Sequence, residues 1–327
     1  MRVDTTGALE RAQYDANRRF AEDYLPSCGE PSVGDGVVRP RVLVTGFGRF
    51  KQNRDNATGR IVSALLPALR YPETDPPAAG AIDPPGPQLA VARGVLTLPR
   101  MGEVEICAMV LPVFWDLAAY LVLREAEAMR PDIVVMNGIA GFRQPLWLEL
   151  GAVNRADHSR DGSSLLQPVS EGAVLIPEAG GAEVARGNLA HWDSLRAAAE
   201  ETIAELAEVE ADRGRFDEIL TGVRFAAFPR SSNTYLCNNT TFTVGWGLDH
   251  PDEPFHLFET SDDDEPLEVK LADLGEIPRW FMHWPSALQG EHVHAGRNLL
   301  AAILDAELGA LADGELPKRG DSTWADP

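Results

Sequence analysis

Apolar runs bounded by glycine, proline and charged residues divide the chain into elements. The first compact run, Arg41-Val-Leu-Val-Thr45, ends at Gly46 and predicts a buried strand. Ile61, Val62, Leu65, Leu66 and Leu69 share one face at helical spacing, which predicts a helix over Thr58–Leu69. Pro72–Gln88 is rich in proline and glycine and reads as an exposed loop. Strands follow at Val91–Leu98 and Val104–Leu111, joined by a Pro-Arg-Met-Gly turn. After them come a helix over Trp115–Met129 and a buried strand at Asp132–Asn137. Near-continuous apolar strands alternating with helices imply a parallel sheet covered on both faces.

Outside this stretch the pattern is weaker. Residues 1–39 are polar, with one helix expected around Ala8–Tyr24. Periodicity loosens through Arg160–Gly187. A helix rich in Ala and Glu is expected over Asp193–Asp212, a strand near Gly222–Ala227, a strand at Trp280–His283 and a closing helix over Ala295–Leu311. The acidic run Ser261–Glu265 reads as a solvated loop.

Composition narrows the function classes. The chain has 327 residues, enough for two average domains or for one α/β domain with insertions. An apolar fraction of 44% is that of a globular protein and excludes wholesale disorder. The formal charge of −21 opposes nonspecific attachment to nucleic acid and to anionic membranes, both of which are polyanions. No apolar stretch is long enough to span a bilayer, and the first residues lack the apolar core of a signal peptide. Cys28, Cys107 and Cys237 are too few and too scattered for a disulfide framework, so a reduced, cytoplasmic protein is expected. None of them shows the Cys-x-x-Cys spacing of a zinc site.

Candidate chemistry is sparse. Cys237 precedes a plausible helix, and a helix N-terminus stabilises a thiolate, although a lone cysteine is more often an inert core residue. Cys107, inside an apolar strand, reads as core, and Cys28 as incidental. Among seven histidines, His292 and His294 have metal-ligand spacing without a third ligand and read as a surface helix start. His283 ends an apolar strand, where open α/β sheets place their sites. Gly46-x-Gly48 lacks the third glycine of a dinucleotide fingerprint, and Arg49-Phe-Lys-Gln-Asn-Arg54 is a poor opening for a pyrophosphate-binding helix.

Several segments, taken in order, resemble the pyroglutamyl peptidase I family, also called pyrrolidone-carboxylate peptidases. Val42-Leu-Val-Thr-Gly-Phe47-Gly-Arg-Phe50 resembles its opening strand and aromatic turn, and Asn56 falls where that family has an asparagine before its first helix. In the stretch Gly138 to Asn154, the residues Gly138, Gly141, Arg143, Glu149, Ala152 and Asn154 keep the spacing of the family's glutamate motif. Ser231-Ser-Asn-Thr-Tyr-Leu-Cys237-Asn238 is similar to its cysteine motif, and Trp280-Phe-Met-His283-Trp-Pro285 to its histidine element. The resemblance implies a three-layer α/β/α sandwich around a twisted mixed sheet. It makes 1–40 an N-terminal extension, 41–311 a single peptidase-like domain with insertions at about 160–215 and 249–276, and 312–327 a tail.

The same resemblance implies a peptidase that uses no metal or cofactor. Cys237 would be the nucleophile, His283 the general base and Glu149 the group orienting the imidazole. Phe47 and Phe50 would flank the substrate ring, with Asn56, Ile139 and Phe142 beside it. The substrate implied is an N-terminal pyroglutamyl peptide or another small N-acyl amide, and the assembly implied is a homo-oligomer. Ile139 stands where the family has Gln, Phe142 and Trp147 replace Gly and Ser/Thr, Leu150 replaces a basic residue, and Ser232-Asn233 replaces Ala-Gly. These departures reshape recognition while leaving the catalytic residues in place. The rival expectations are an amidase with the same mechanism on a different acyl group, and a non-catalytic binding protein that kept the fold.

Overall fold

The structure is a computed structural model that describes residues 1–30, 36–210, 216–228, 234–262 and 264–326. Its frame is a mixed sheet with seven principal strands: β1 (Arg41–Phe47), β2 (Ala90–Leu98), β3 (Gly102–Leu111), β4 (Ile133–Ala140), β5 (Gln144–Glu149), β6 (Leu220–Ala226) and β7 (Arg279–Pro285). They lie in the order β6-β5-β7-β4-β1-β3-β2, and the short strands Leu189–Ala190 and Lys318–Arg319 extend the sheet beside β7. β7, β4, β1 and β3 are parallel, as the alternation of strands and helices predicted. The wholly parallel sheet is corrected at both sides. β2 and β3 form an antiparallel hairpin through a tight turn, and β5 runs antiparallel to β7.

Among the described residues, six helices longer than one turn cover the sheet: α1 (Ala8–Glu22), α2 (Ala57–Ser63), α3 (Leu117–Met129), α4 (Trp192–Glu210), α5 (Leu236–Asp249) and α6 (Val293–Ala312). Alternating strand residues separate two cores. Leu43, Cys107, Met109, Val134, Met136 and Phe281 face α1, α3 and α5. Val42, Val44, Ile106, Val135, Trp280 and Met282 face α2, α4 and α6. The mixed α/β sandwich is therefore the expected one.

Three local expectations change. The first helix after β1 stops at Ser63 rather than Leu69, because Pro67 disfavours helical backbone just before it. The chain continues in tight turns, with Leu65 N–H donating to Val62 O at 3.1 Å, and Leu65, Leu66 and Leu69 stay buried. β5 was not anticipated, since Pro145 interrupts its short alternating pattern; the proline sits at the second residue, close to the strand's start. The last two residues of the helix expected to end at Asp212 lie outside the described residues.

The polar N-terminal segment is woven into the fold. Its helix forms as expected, and Tyr14 and Ala21 enter the same core as α3. Arg2–Val3 pairs in parallel with Glu259–Thr260, and the Tyr14 hydroxyl donates to Phe258 O at 2.6 Å. Cys28, expected to be incidental, forms a disulfide with Cys107 of β3, so these two cysteines are not reduced. Buried Glu125 of α3 guides that contact by accepting the backbone N–H groups of Ser27 and Cys28 at 2.8 and 2.9 Å. The acidic run is not simply solvated either. Asp264 pairs with Arg11 at 2.5 Å, and Asp262 accepts from the Thr5 hydroxyl at 2.9 Å; Asp263 lies outside the described residues.

The proline-rich loop is likewise anchored rather than wholly exposed. Its Asp83 is 3% exposed and forms an ion pair with Arg49, which is 1% exposed. Gln88 donates to the same carboxylate at 2.9 Å, and Gln13 of α1 exchanges hydrogen bonds with the Asp83 backbone at 2.6 and 2.8 Å. Arg49 also donates to Lys51 O at 3.0 Å, which ties the turn after β1 to itself. Composition could not show this, because the partners come from three separate segments. Removing the carboxylate leaves a buried guanidinium without its counter-charge. Asp83→Ala should therefore lower the unfolding free energy by about 3–5 kcal/mol, read from urea denaturation. Arg49→Met combined with Asp83→Leu should cost much less, and equal losses for both proteins would rule out the uncompensated charge as the cause.

Candidate active site

Cys237 sits in the first turn of α5, behind the N-terminal residue Tyr235. It is half-buried and is the free cysteine among the described residues. The helix end is fixed by Asn238, whose amide donates to Val153 O and Arg155 O at 2.8 Å and accepts from Val153 N at 2.9 Å. Asn239 adds a bond to the buried Asp116 carboxylate at 3.2 Å. Unpaired N–H groups and the helix dipole favour an anion at such a position.

His283 reaches the cysteine by strand periodicity. It follows Phe281 by two residues, so it faces the layer containing α5. Glu149 ends β5 opposite Phe281, and its neighbour Leu148 faces the other core, so the carboxylate turns to the same side as the imidazole. His283 Nδ1 lies 2.6 Å from Glu149 Oε1, with both side chains buried. The ring also hydrogen-bonds Cys237, which the geometry leaves to Nε2. Burial opposes the charged imidazole, yet the negative charges of Cys237 and Glu149 outweigh it and push the His283 pKa from 6.5 up to about 9. Gly138 of β4 pairs with His283 and makes the approach possible, since a Cβ there would stand 2.7 Å from the Cys237 sulfur.

Cys237 opens into a cavity of about 400 Å³ between the β1 turn, the end of β4 and the start of α5. Phe47, Phe50, Ile139 and Phe142 all line it, as expected. Phe142 is 65% exposed and stands at the mouth, with Arg143 over its ring. Asn56 also lines it, but its side-chain oxygen caps α2 by accepting the Thr58 N–H at 3.1 Å. The wall also includes residues not singled out from the sequence, among them Val113, Tyr235 and Ser286. Tyr235 was within view, as the aromatic position of the cysteine motif. Its ring meets Phe50 edge-on at 6.0 Å and Trp115 at 5.1 Å. Val113 and Ser286 follow strand ends without a distinguishing pattern.

Other motif residues serve the frame. Asn154 is buried and bridges Ile176 O, Ile176 N and Gly180 O at 2.8–3.0 Å. Trp147 pairs with His283 across the sheet, and Leu150 is buried in the opposite core. His292 and His294 lie at the start of α6, as expected. Ser231, Ser232 and Asn233 of the cysteine motif lie outside the described residues. Among the described residues, the group with metal-ligand reach is Cys28, Cys107 and Glu125, whose two sulfurs are bonded to each other.

No family model matches the sequence, and no curated protein matches it. Solved structures do. The chain is similar to pyroglutamyl peptidase I of Bacillus amyloliquefaciens, at 14% identity over 83% of this chain and 98% of that one, with a TM-score of 0.50. It is also similar to a mutant pyrrolidone carboxyl peptidase of the hyperthermophile Pyrococcus furiosus, at 16% identity over 83% and 99% of the two chains, with a TM-score of 0.48. The Bacillus likeness shows that the chain has the α/β fold of that peptidase. No helix among the described residues is long and apolar enough to cross a membrane.

Two outcomes follow from the charges. In unreduced protein, iodoacetamide should alkylate Cys237 and leave Cys28 and Cys107 untouched, as read by peptide mass mapping. Labelling of Cys28 or Cys107 would mean that the disulfide is absent. Because the His283 pKa is raised on folding, its stabilising effect is full below about pH 6.5 and is lost as pH rises through about 9. The difference in unfolding free energy between wild type and His283→Gln should shrink by up to about 3 kcal/mol across that window. A difference that stays flat with pH would show a neutral imidazole in the folded protein.

Proposed function

We propose that this chain is a cysteine-type amidase, a divergent relative of the pyroglutamyl peptidases, acting on a peptide or small amide that carries an uncharged N-terminal acyl group. The observation that supports it most is the chain of contacts Cys237–His283–Glu149 at the mouth of a cavity. Glu149 holds the imidazole by Nδ1, so Nε2 serves the sulfur. The Cys237 thiolate attacks the acyl carbon, and backbone N–H groups in the first turn of α5 stabilise the oxyanion. As the C–N bond breaks, His283 gives its proton to the leaving amine and a thioester remains. Water then attacks the thioester, with His283 taking its proton, and releases the carboxylic acid while restoring the thiolate.

The pyroglutamyl group is the acyl group that the motifs point to, with Phe47 and Phe50 covering a flat, uncharged ring. The test is hydrolysis of pyroglutamyl-coumarin beside other acyl-coumarins. Cys237→Ala should abolish all turnover while the melting temperature stays nearly unchanged; surviving activity would identify another nucleophile. Glu149→Gln should lower kcat by about 10²–10⁴-fold and move the alkaline limb of the rate profile below pH 9. Phe50, which is only half-buried, separates pocket from core more cleanly than Phe47. Phe50→Ala should raise KM by about tenfold, equivalent to ~1.4 kcal/mol, with little loss of stability. Unchanged KM with a lowered melting temperature would make that ring core only.

A further inference from the structure

Whatever acyl group enters the cavity must match the polar groups of its wall. The side chains of Phe47, Phe50, Val113, Ile139, Phe142 and Tyr235 present mostly carbon. Asn56 Oδ1 is already engaged by the Thr58 N–H and by the Thr58 hydroxyl, at 3.1 and 2.9 Å. Five backbone carbonyls nearby each already accept one N–H. Those of Phe50, Val113, Gly141, Phe142 and Tyr235 accept the N–H groups of Asn53, Gly162, Ser286, Ala287 and Asn239, at 2.7–3.1 Å. Ser286 adds one hydroxyl.

A lactam brings an N–H that must find an acceptor on entering this wall. Burying it unpaired costs about 1–3 kcal/mol. An apolar acyl group carries no such penalty and gains about 25 cal/mol for each Å² removed from water. Size points the same way. A cavity of about 400 Å³ falls within the range of sites for drug-sized ligands, and a single five-membered ring would leave much of it unfilled. At the mouth, Phe142 leaves 65% of its surface in water, which a longer acyl chain would cover.

We propose that the pocket selects an extended, uncharged, apolar acyl group, an aryl-alkanoyl or medium-chain alkanoyl amide, over the pyroglutamyl lactam. This inference rests on the amidase reading of Cys237, His283 and Glu149. The chemistry is that already described, with water as co-reactant, an amine as the first product and the apolar carboxylic acid as the second.

The experiment compares kcat/KM for pyroglutamyl-, acetyl-, hexanoyl- and phenylacetyl-coumarin with the full chain. Hexanoyl and phenylacetyl substrates should be at least tenfold better than pyroglutamyl. Ile139→Gln combined with Phe142→Gly should reverse that order by restoring a polar side chain and opening the mouth. Pyroglutamyl-coumarin as the best wild-type substrate would overturn the proposal and leave the amidase reading standing. Hydrolysis of none of the four would overturn the amidase reading instead. The pocket is then judged by calorimetry on Cys237→Ala with phenylacetamide and 2-pyrrolidone. Tighter binding of phenylacetamide supports the apolar assignment, and equal or tighter binding of 2-pyrrolidone refutes it.

Discussion

The hydrogen bond between Glu149 and His283 joins two strands that run in opposite directions, and it keeps a charge in the interior of the protein. A buried imidazolium is unfavourable unless anions face it, and here they come from both sides, Glu149 from β5 and Cys237 from α5. The arrangement constrains the fold around it. β5 must pair with β7 in the register that sets Glu149 opposite Phe281, so that the carboxylate shares a face with the ring. β4 must carry a residue without a side chain, Gly138, so that the sulfur can approach. The short first turn of α5 must be held in place, and Asn238 does so by gripping the backbone of residues 153 and 155.

Periodicity exposed the parallel strands and the long helices, because burial on two faces imposes near-continuous apolar runs. It passed over β5, where Pro145 and the polar Gln144 open a strand of six residues. The site was legible in a different way. No spacing connects residues 149, 237 and 283; only the order of four short motifs did, and the sheet then brought three of those segments together. What the sequence hid was pairing between distant polar groups. Arg49 began a stretch read as a poor opening for a pyrophosphate-binding helix and Asp83 lay in a segment read as an exposed loop, and nothing local to either announces the ion pair between them. The disulfide was hidden for the same reason, since Cys28 and Cys107 are 79 positions apart and one of them lies in a polar segment.

That hidden pairing gives the N-terminal segment a place beside the cavity. Gln13 of α1 holds the backbone of Asp83, Asp83 holds Arg49, and Arg49 closes the turn that presents Phe47 and Phe50. The wall is thus supported from a part of the chain that composition alone would set aside. Residues 159–162 support it from behind. Ser159 O receives the Trp115 indole N–H, the Tyr235 hydroxyl donates to Arg160 O, and Gly162 N–H donates to Val113 O.

The disulfide between Cys28 and Cys107 has a consequence for the chemistry of the whole chain. Under the proposed mechanism one sulfur, at Cys237, acts only as a thiolate, whereas two others hold the N-terminal segment only when oxidised. Electron donors that protect the first would undo the second, and oxidants that form the second would silence the first. Burial separates the two demands, since Cys28 is 2% exposed and Cys107 is wholly enclosed, while Cys237 opens to the cavity. A small thiol meets Cys237 long before it meets the disulfide. The protein thus keeps two opposite sulfur oxidation states in one chain, with burial shielding one of them and a cavity opening to the other.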